Sequence, residues 1–83
     1  MSRQVIDRYH DSDIEEIPDV AALGRTIARR RKELGITQAQ LAFSIGVNRR
    51  VIGELERGKD TVQIGIALRA LAAVGAIILA DRR

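Results

Sequence analysis

The stretch Thr37-Gln-Ala-Gln-Leu-Ala-Phe-Ser-Ile-Gly-Val-Asn-Arg-Arg-Val-Ile-Gly-Glu-Leu-Glu-Arg-Gly58 decides how this 83-residue chain folds. Thr37 can cap a helix by offering its hydroxyl oxygen to an amide two or three residues on, and Leu41, Ala42 and Ile45 follow at three- and four-residue spacing. That spacing predicts a helix of about two turns. Gly46 stands where the chain leaves it, a position that favours the left-handed backbone glycine adopts without steric cost. Asn48 is a second cap. From it runs a helix with Val51, Ile52 and Leu55 apolar and Arg49, Arg50 and Glu54 on the remaining surface, closed by Gly58.

Two short helices joined by a glycine form either an ordinary helical hairpin or a helix-turn-helix, whose second helix enters the DNA major groove by its N-terminal residues. Spacing alone does not separate the two; residue identities shift the balance. Gly35-Ile36-Thr37-Gln38-Ala39-Gln40-Leu41-Ala42, then Ile45-Gly46-Val47, Val51-Ile52 and Glu56-Arg57-Gly58 closely resemble the Xre/Cro (lambda-repressor-like) helix-turn-helix family. Leu23-Gly24 with Ile27 and Arg31 extends the resemblance, which covers Val20 to Val74. It implies a mainly α, lambda-repressor-like domain of four to five helices.

Composition frames that reading. The length suits one small domain with a modest buried share, so a partner subunit is a plausible source of further stability. With no cysteine there is no disulfide, thiolate zinc site or cysteine nucleophile. His10 has no second histidine to make a metal site, so neither metal nor cofactor is expected. The apolar run from Val74 to Ala80, broken by Gly75, is far shorter than the roughly 20 residues of a membrane helix. No cleavable signal pattern opens the sequence, so a soluble cytoplasmic protein is expected, associated with the nucleoid if it binds DNA. The net charge of +3 is uneven: residues 1–19 carry Arg3 and Arg8 against six carboxylates, while the remainder holds 12 basic and 5 acidic residues. An acidic arm thus precedes a basic body, the electrostatic footprint of a phosphate-backbone binder.

Three segments follow. Residues 1–18 show no sustained period and read as an extended acidic arm. Residues 19–75 form the helix-turn-helix domain. Asp19, after Pro18, can cap a first helix whose buried stripe is Val20, Leu23, Ile27 and Leu34. Arg31 lies on that stripe and must either pair or snorkel to solvent along its stem. After Gly58 a helix from Gln63 to Ala73 carries Ile64, Leu68 and Leu71 on one face and Ile66, Ala70 and Ala73 on another. The second face suggests a subunit interface, although alanine also accumulates through helix propensity alone. Residues 76–83 hold a β-branched-rich run with Ile77, Ile78 and Leu79, which reads as a short strand. With no other strand in the chain, it is expected to pair with its copy across a two-fold axis, making a homodimer.

The resemblance assigns further roles. It gives Arg31 a partner in Glu56, makes Gln38 a phosphate clamp and possible brace of the recognition helix, and points Arg49 and Arg50 at base edges. Thr37 and Asn48, at helix N-termini, join Gln38 as phosphate-binding candidates. Glu54 could accept from cytosine N4, but orienting an arginine is favoured because a carboxylate near phosphates is repelled. Gly53 departs from the family's usual small polar residue; it either permits close approach to DNA or is drift, with drift preferred. Tyr9 and Phe43 are the only aromatics, and Phe43 is placed on a packed helix, so RNA recognition by stacking is disfavoured.

The Leu-Ala-Ala-Val-Gly exit and apolar terminal run are similar to HipB-type antitoxins, which implies autorepression and a HipA-like kinase toxin as partner. The expected function is that of a dimeric, sequence-specific binder of double-stranded DNA that represses transcription at an inverted-repeat operator. The alternative is a protein-interaction module that inhibits a partner, with DNA binding secondary. Nothing supports an enzyme: there is no paired histidine and nucleophile, no P-loop or dinucleotide loop and no ligand cluster.

Overall fold

The structure, a computed structural model, describes residues 17–75. Within them lie four helices, α1 (Val20–Glu33), α2 (Gln38–Ile45), α3 (Arg49–Glu56) and α4 (Ile64–Ala73), and no strand. The acidic arm up to residue 16 and the expected strand with Ile77, Ile78 and Leu79 lie outside the described residues.

Local chemistry sets the helix boundaries. Asp19 accepts from the Ala22 amide at 2.8 Å and starts α1. Thr37 accepts from the Gln40 amide at 3.0 Å while Gln40 accepts from the Thr37 amide at 2.8 Å, a reciprocal box at the start of α2. Asn48 accepts from the Arg50 amide at 2.7 Å and starts α3. The turn between α2 and α3 closes at Gly46, whose φ of 74° is left-handed, with its amide donating back to Phe43. Arg30, Arg31 and Lys32 fill the last turn of α1, where cations complement the helix dipole.

Helix α3 packs against both α1 and α2, and α4 packs on α2. The core they enclose is Ile27, Leu41, Ala42, Ile52, Leu55, Ala67, Ala70, Leu71 and Val74, flanked by the half-buried Leu23, Ile36, Ile45, Val47 and Val62. Ile27, Leu41, Ile52, Leu55 and Val74 are fully buried, each contributing about 1.5–3 kcal/mol over exposure. The close α1–α3 contact depends on Gly24. A Cβ there would overlap the Leu55 carbonyl oxygen and lie 2.7 Å from that of Glu56, so no side chain fits between the two backbones. Arg69 on α4 donates to the Ile45 carbonyl at 3.0 Å, and Arg30 on α1 to the Val74 carbonyl at 3.3 Å, so arginines close the ends of α2 and α4.

Three packing expectations change. Leu34, assigned to the buried stripe, caps α1 and is 52% exposed, because the helix ends at Glu33 and the chain turns away at Gly35. Phe43, assigned to a packed face, is 88% exposed: α2 turns Leu41, Ala42 and Ile45 inward, and a residue two after Leu41 falls on the far side. On α4 the inward face is Ala67, Ala70, Leu71 and Val74 instead of Ile64, Leu68 and Leu71. Ala70, assigned to a dimer interface, is 0% exposed within its own chain, while Ile64 and Leu68 face outward. Ile66 is half-buried and Ala73 is exposed. Both sets obey helical spacing, and the smaller alanines let α4 lie close on the core.

Candidate nucleic-acid interface

Arg49 and Arg50 occupy the first turn of α3, both exposed. Among the described residues neither guanidinium has a hydrogen-bond or ion-pair partner, so both are available to a ligand. Glu54, one turn on, pairs with Lys59 at 3.3 Å, so the arginine partner expected for it is replaced by a lysine in the turn after α3. The pair leaves the helix surface less acidic beside the arginines.

Behind this surface is a buried charge network. Arg31 reaches Glu56 with both Nε, at 2.6 Å, and Nη2, at 3.0 Å, the fork matching the two carboxylate oxygens. The side chains are only 10% and 7% exposed, so Arg31 pairs and does not snorkel. Its Nη1 donates to the Ile36 carbonyl at 2.8 Å, which fastens the α1–α2 connection to the same residue. Gln38 Nε2 donates to Glu56 Oε1 at 2.9 Å and braces the start of α2 against the end of α3. Burial by itself pushes the Glu56 carboxyl up, but hydrogen bonds from Arg31 and Gln38, with the charges of Arg31 and Lys32, outweigh it and hold the group below the ordinary glutamate range. The hydrogen bond to Glu56 raises the Arg31 guanidinium above its usual value; desolvation opposes this and the Glu56 charge adds to it.

The capping groups spend acceptors and keep donors. Thr37 Oγ1 and Asn48 Oδ1 accept from backbone amides, leaving the hydroxyl hydrogen and the Asn48 amide nitrogen. Gln38 Nε2 uses one hydrogen on Glu56 and retains another. Thr37, Gln38 and Asn48 thus present donors at helix N-termini, the polarity that suits phosphate oxygens. The Gln38–Glu56 and Arg31–Ile36 bonds join residues whose spacing in sequence gives no periodic signal, and neither is readable from pattern alone. Among the described residues there is no cluster of three or more potential metal ligands and no helix long and apolar enough to cross a membrane.

A family model described as Helix-turn-helix matches residues 27–75. The chain belongs to the helix-turn-helix family, in its Xre/Cro (lambda-repressor-like) form. An uncharacterized HTH-type transcriptional regulator, y4mF, of Sinorhizobium fredii is 43% identical over 60 residues, spanning 72% of this chain and 75% of that one. Another, of Methanothermobacter thermautotrophicus, is 44% identical over 52 residues, spanning 61% of this chain and 75% of the relative. Among solved structures, a complex of a HipB variant with an O2 20mer superposes with a TM-score of 0.73 at 24% identity, covering 84% of this chain and 99% of that chain. A HipA–HipB–O2–O3 complex matches with the same TM-score at 22% identity, covering 84% and 100%. This helix-turn-helix protein therefore shares the HipB fold and is a DNA-binding transcriptional regulator.

Proposed function

We propose that the protein acts as a homodimeric repressor of its own operon, reading an inverted-repeat operator with Arg49 and Arg50. The observation that carries this reading is the pair of exposed guanidiniums at the start of α3, whose fork matches guanine O6 and N7. Thr37, Gln38 and Asn48 hold phosphates and fix the orientation of α3, and Glu54 with Lys59 shapes its flank. Ile66, Ala73 and the terminal run with Ile77, Ile78 and Leu79 form the seam, to which the outward Ile64 and Leu68 add apolar surface. The HipB-like fold supports a narrower form of the proposal, in which the regulator is also the antitoxin of a HipA-like kinase toxin.

The test is a mobility shift on the duplex upstream of the gene and on a scrambled duplex, at one fixed salt concentration. Arg49→Ala and Arg50→Ala should each lower operator binding more than scrambled binding, by about 1–3 kcal/mol per lost base pair contact. Wild-type protein that binds both duplexes equally removes the repressor reading. Co-expression with the product of any neighbouring kinase-like gene tests the antitoxin role by co-purification, and a failure to associate removes that role alone.

A further inference from the structure

The first turns of α1 lie against the end of α3. A Cβ on Gly24 would overlap the Leu55 carbonyl oxygen, and one on Gly58 would sit 2.9 Å from Ala21 Cα, so the chain that precedes Ile17 leaves the domain near the end of the recognition helix. From there α3 runs back to its start over eight residues, about 12 Å at 1.5 Å each. Arg57, Gly53 and Arg49 follow at intervals of four residues and share one stripe. Arg57 Nη1 lies 3.3 Å from the place a Gly53 Cβ would take, so this side chain folds back along the helix toward Arg49. Arg49, Arg50 and Arg57 are exposed, and among the described residues none has a side-chain hydrogen bond or ion pair. The carboxylates nearest in sequence are engaged, Glu54 with Lys59 and Glu56 with Arg31. A row of guanidiniums without counter-charges thus begins where the preceding chain leaves the domain.

The sequence of that preceding chain carries the complementary charge. Asp11, Asp13, Glu15 and Glu16 fall within the six residues before Ile17, with no lysine or arginine among them. Six extended residues span about 20 Å, enough to pass Arg57 and reach the arginines at the start of α3. We propose that residues 11–16 dock on this row of arginines and compete with DNA for it, so that the chain restrains its own recognition helix. The proposal rests on the DNA-binding reading above and adds a regulator of the same surface. The tether favours this occupant: a short linker gives it a local concentration on the order of millimolar, against dissociation constants of about 10⁻⁴–10⁻⁶ M for random DNA. Such a competitor weakens operator and random duplex by one common factor. It lowers idle occupancy of random DNA and leaves base discrimination unchanged.

The chain has no cysteine, so Ser12→Cys accepts a single nitroxide label in the full-length protein. Without DNA, the label should broaden the amide resonances of Arg49, Arg50 and Gly53 more than that of the exposed Leu68 on α4, a helix that packs on α2. Adding a random-sequence duplex should relieve that broadening. Neutralising the segment in the full chain, with Asp11→Asn, Asp13→Asn, Glu15→Gln and Glu16→Gln, should tighten binding of the upstream and random duplexes alike. The expected gain is about three- to tenfold by fluorescence anisotropy at fixed salt, as for a local concentration a few times the segment's own dissociation constant. General repulsion between the segment and DNA would also tighten binding, but it does not involve Arg57. In an Arg57→Ala background the gain from neutralisation should therefore be smaller. Uniform broadening, broadening that the duplex does not relieve, or an equal gain with and without Arg57 overturns the docking and leaves the repressor reading standing. Wild-type and neutralised proteins that both fail to bind either duplex overturn both.

Discussion

Removing one side of the Arg31–Glu56 pair is expected to cost this protein a large part of its stability. The carboxylate accepts at 2.6 and 3.0 Å from Arg31 and at 2.9 Å from Gln38, and the two side chains of the pair are 10% and 7% exposed. Arg31→Met keeps much of the stem but strands the Glu56 charge on a single amide, and Glu56→Gln strands a guanidinium. Breaking a buried pair in this way costs about 3–5 kcal/mol. At about 0.05–0.15 kcal/mol per residue, a chain of 83 residues has only about 4–12 kcal/mol in total. The double variant Arg31→Met, Glu56→Gln leaves no uncompensated charge and should recover part of the loss, giving a coupling of about 2–3 kcal/mol in a double-mutant cycle. Urea unfolding of wild type, both single variants and the double variant supplies the four values. Single variants within about 0.5 kcal/mol of wild type would refute the reasoning, because that is the scale of an exposed pair.

The same pair sets an acid limit. The folded Glu56 carboxyl is held below the ordinary glutamate value of about 4.3, so the stability it contributes is fully present above that pH. It is lost as the pH falls through the lower folded value. Glu56→Gln, already weakened at neutral pH, lacks this component, so wild type and variant should converge in unfolding free energy on acidification; a constant gap at low pH contradicts the assignment.

Other consequences follow from single positions. Gly24→Ala should drive α1 and α3 apart and cost at least about 3 kcal/mol, read as a lowered melting temperature, because the obstructing atoms are backbone carbonyls with no rotamer to escape into. Gly46→Ala places a Cβ at a φ of 74° in open space, so thermal unfolding should register only the left-handed strain of about 1–2 kcal/mol. Deleting residues 76–83 should give a monomer in sedimentation equilibrium that keeps its helical circular dichroism, since all four described helices and the core they share lie within residues 20–74. A truncated chain that still dimerises would move the seam to α4.

What was legible in the sequence is what is decided locally. Thr37, Asn48 and Asp19 are caps because each needs only an amide two or three residues away, and Gly46 is a turn because its own φ demands it. The choice between the two faces of α4 was not legible. Ile64, Leu68 and Leu71 satisfy the helical period as well as Ala67, Ala70, Leu71 and Val74 do, and only the approach of α2 selects the alanines. Arg31 and Glu56, 25 residues apart, were joined by resemblance to a family; from periodicity alone Arg31 was equally a snorkelling side chain. The two glycines inside helices make the limit sharpest. Gly24 and Gly53 each read as an isolated weakening of a helical pattern, and nothing in that pattern distinguishes them. Gly24 faces immovable carbonyls, whereas Gly53 faces the mobile ends of Arg57 and Gln38. The same substitution to alanine should therefore lower the melting temperature markedly at the first position, where backbone must move, and spare the fold at the second, where only side-chain ends must shift.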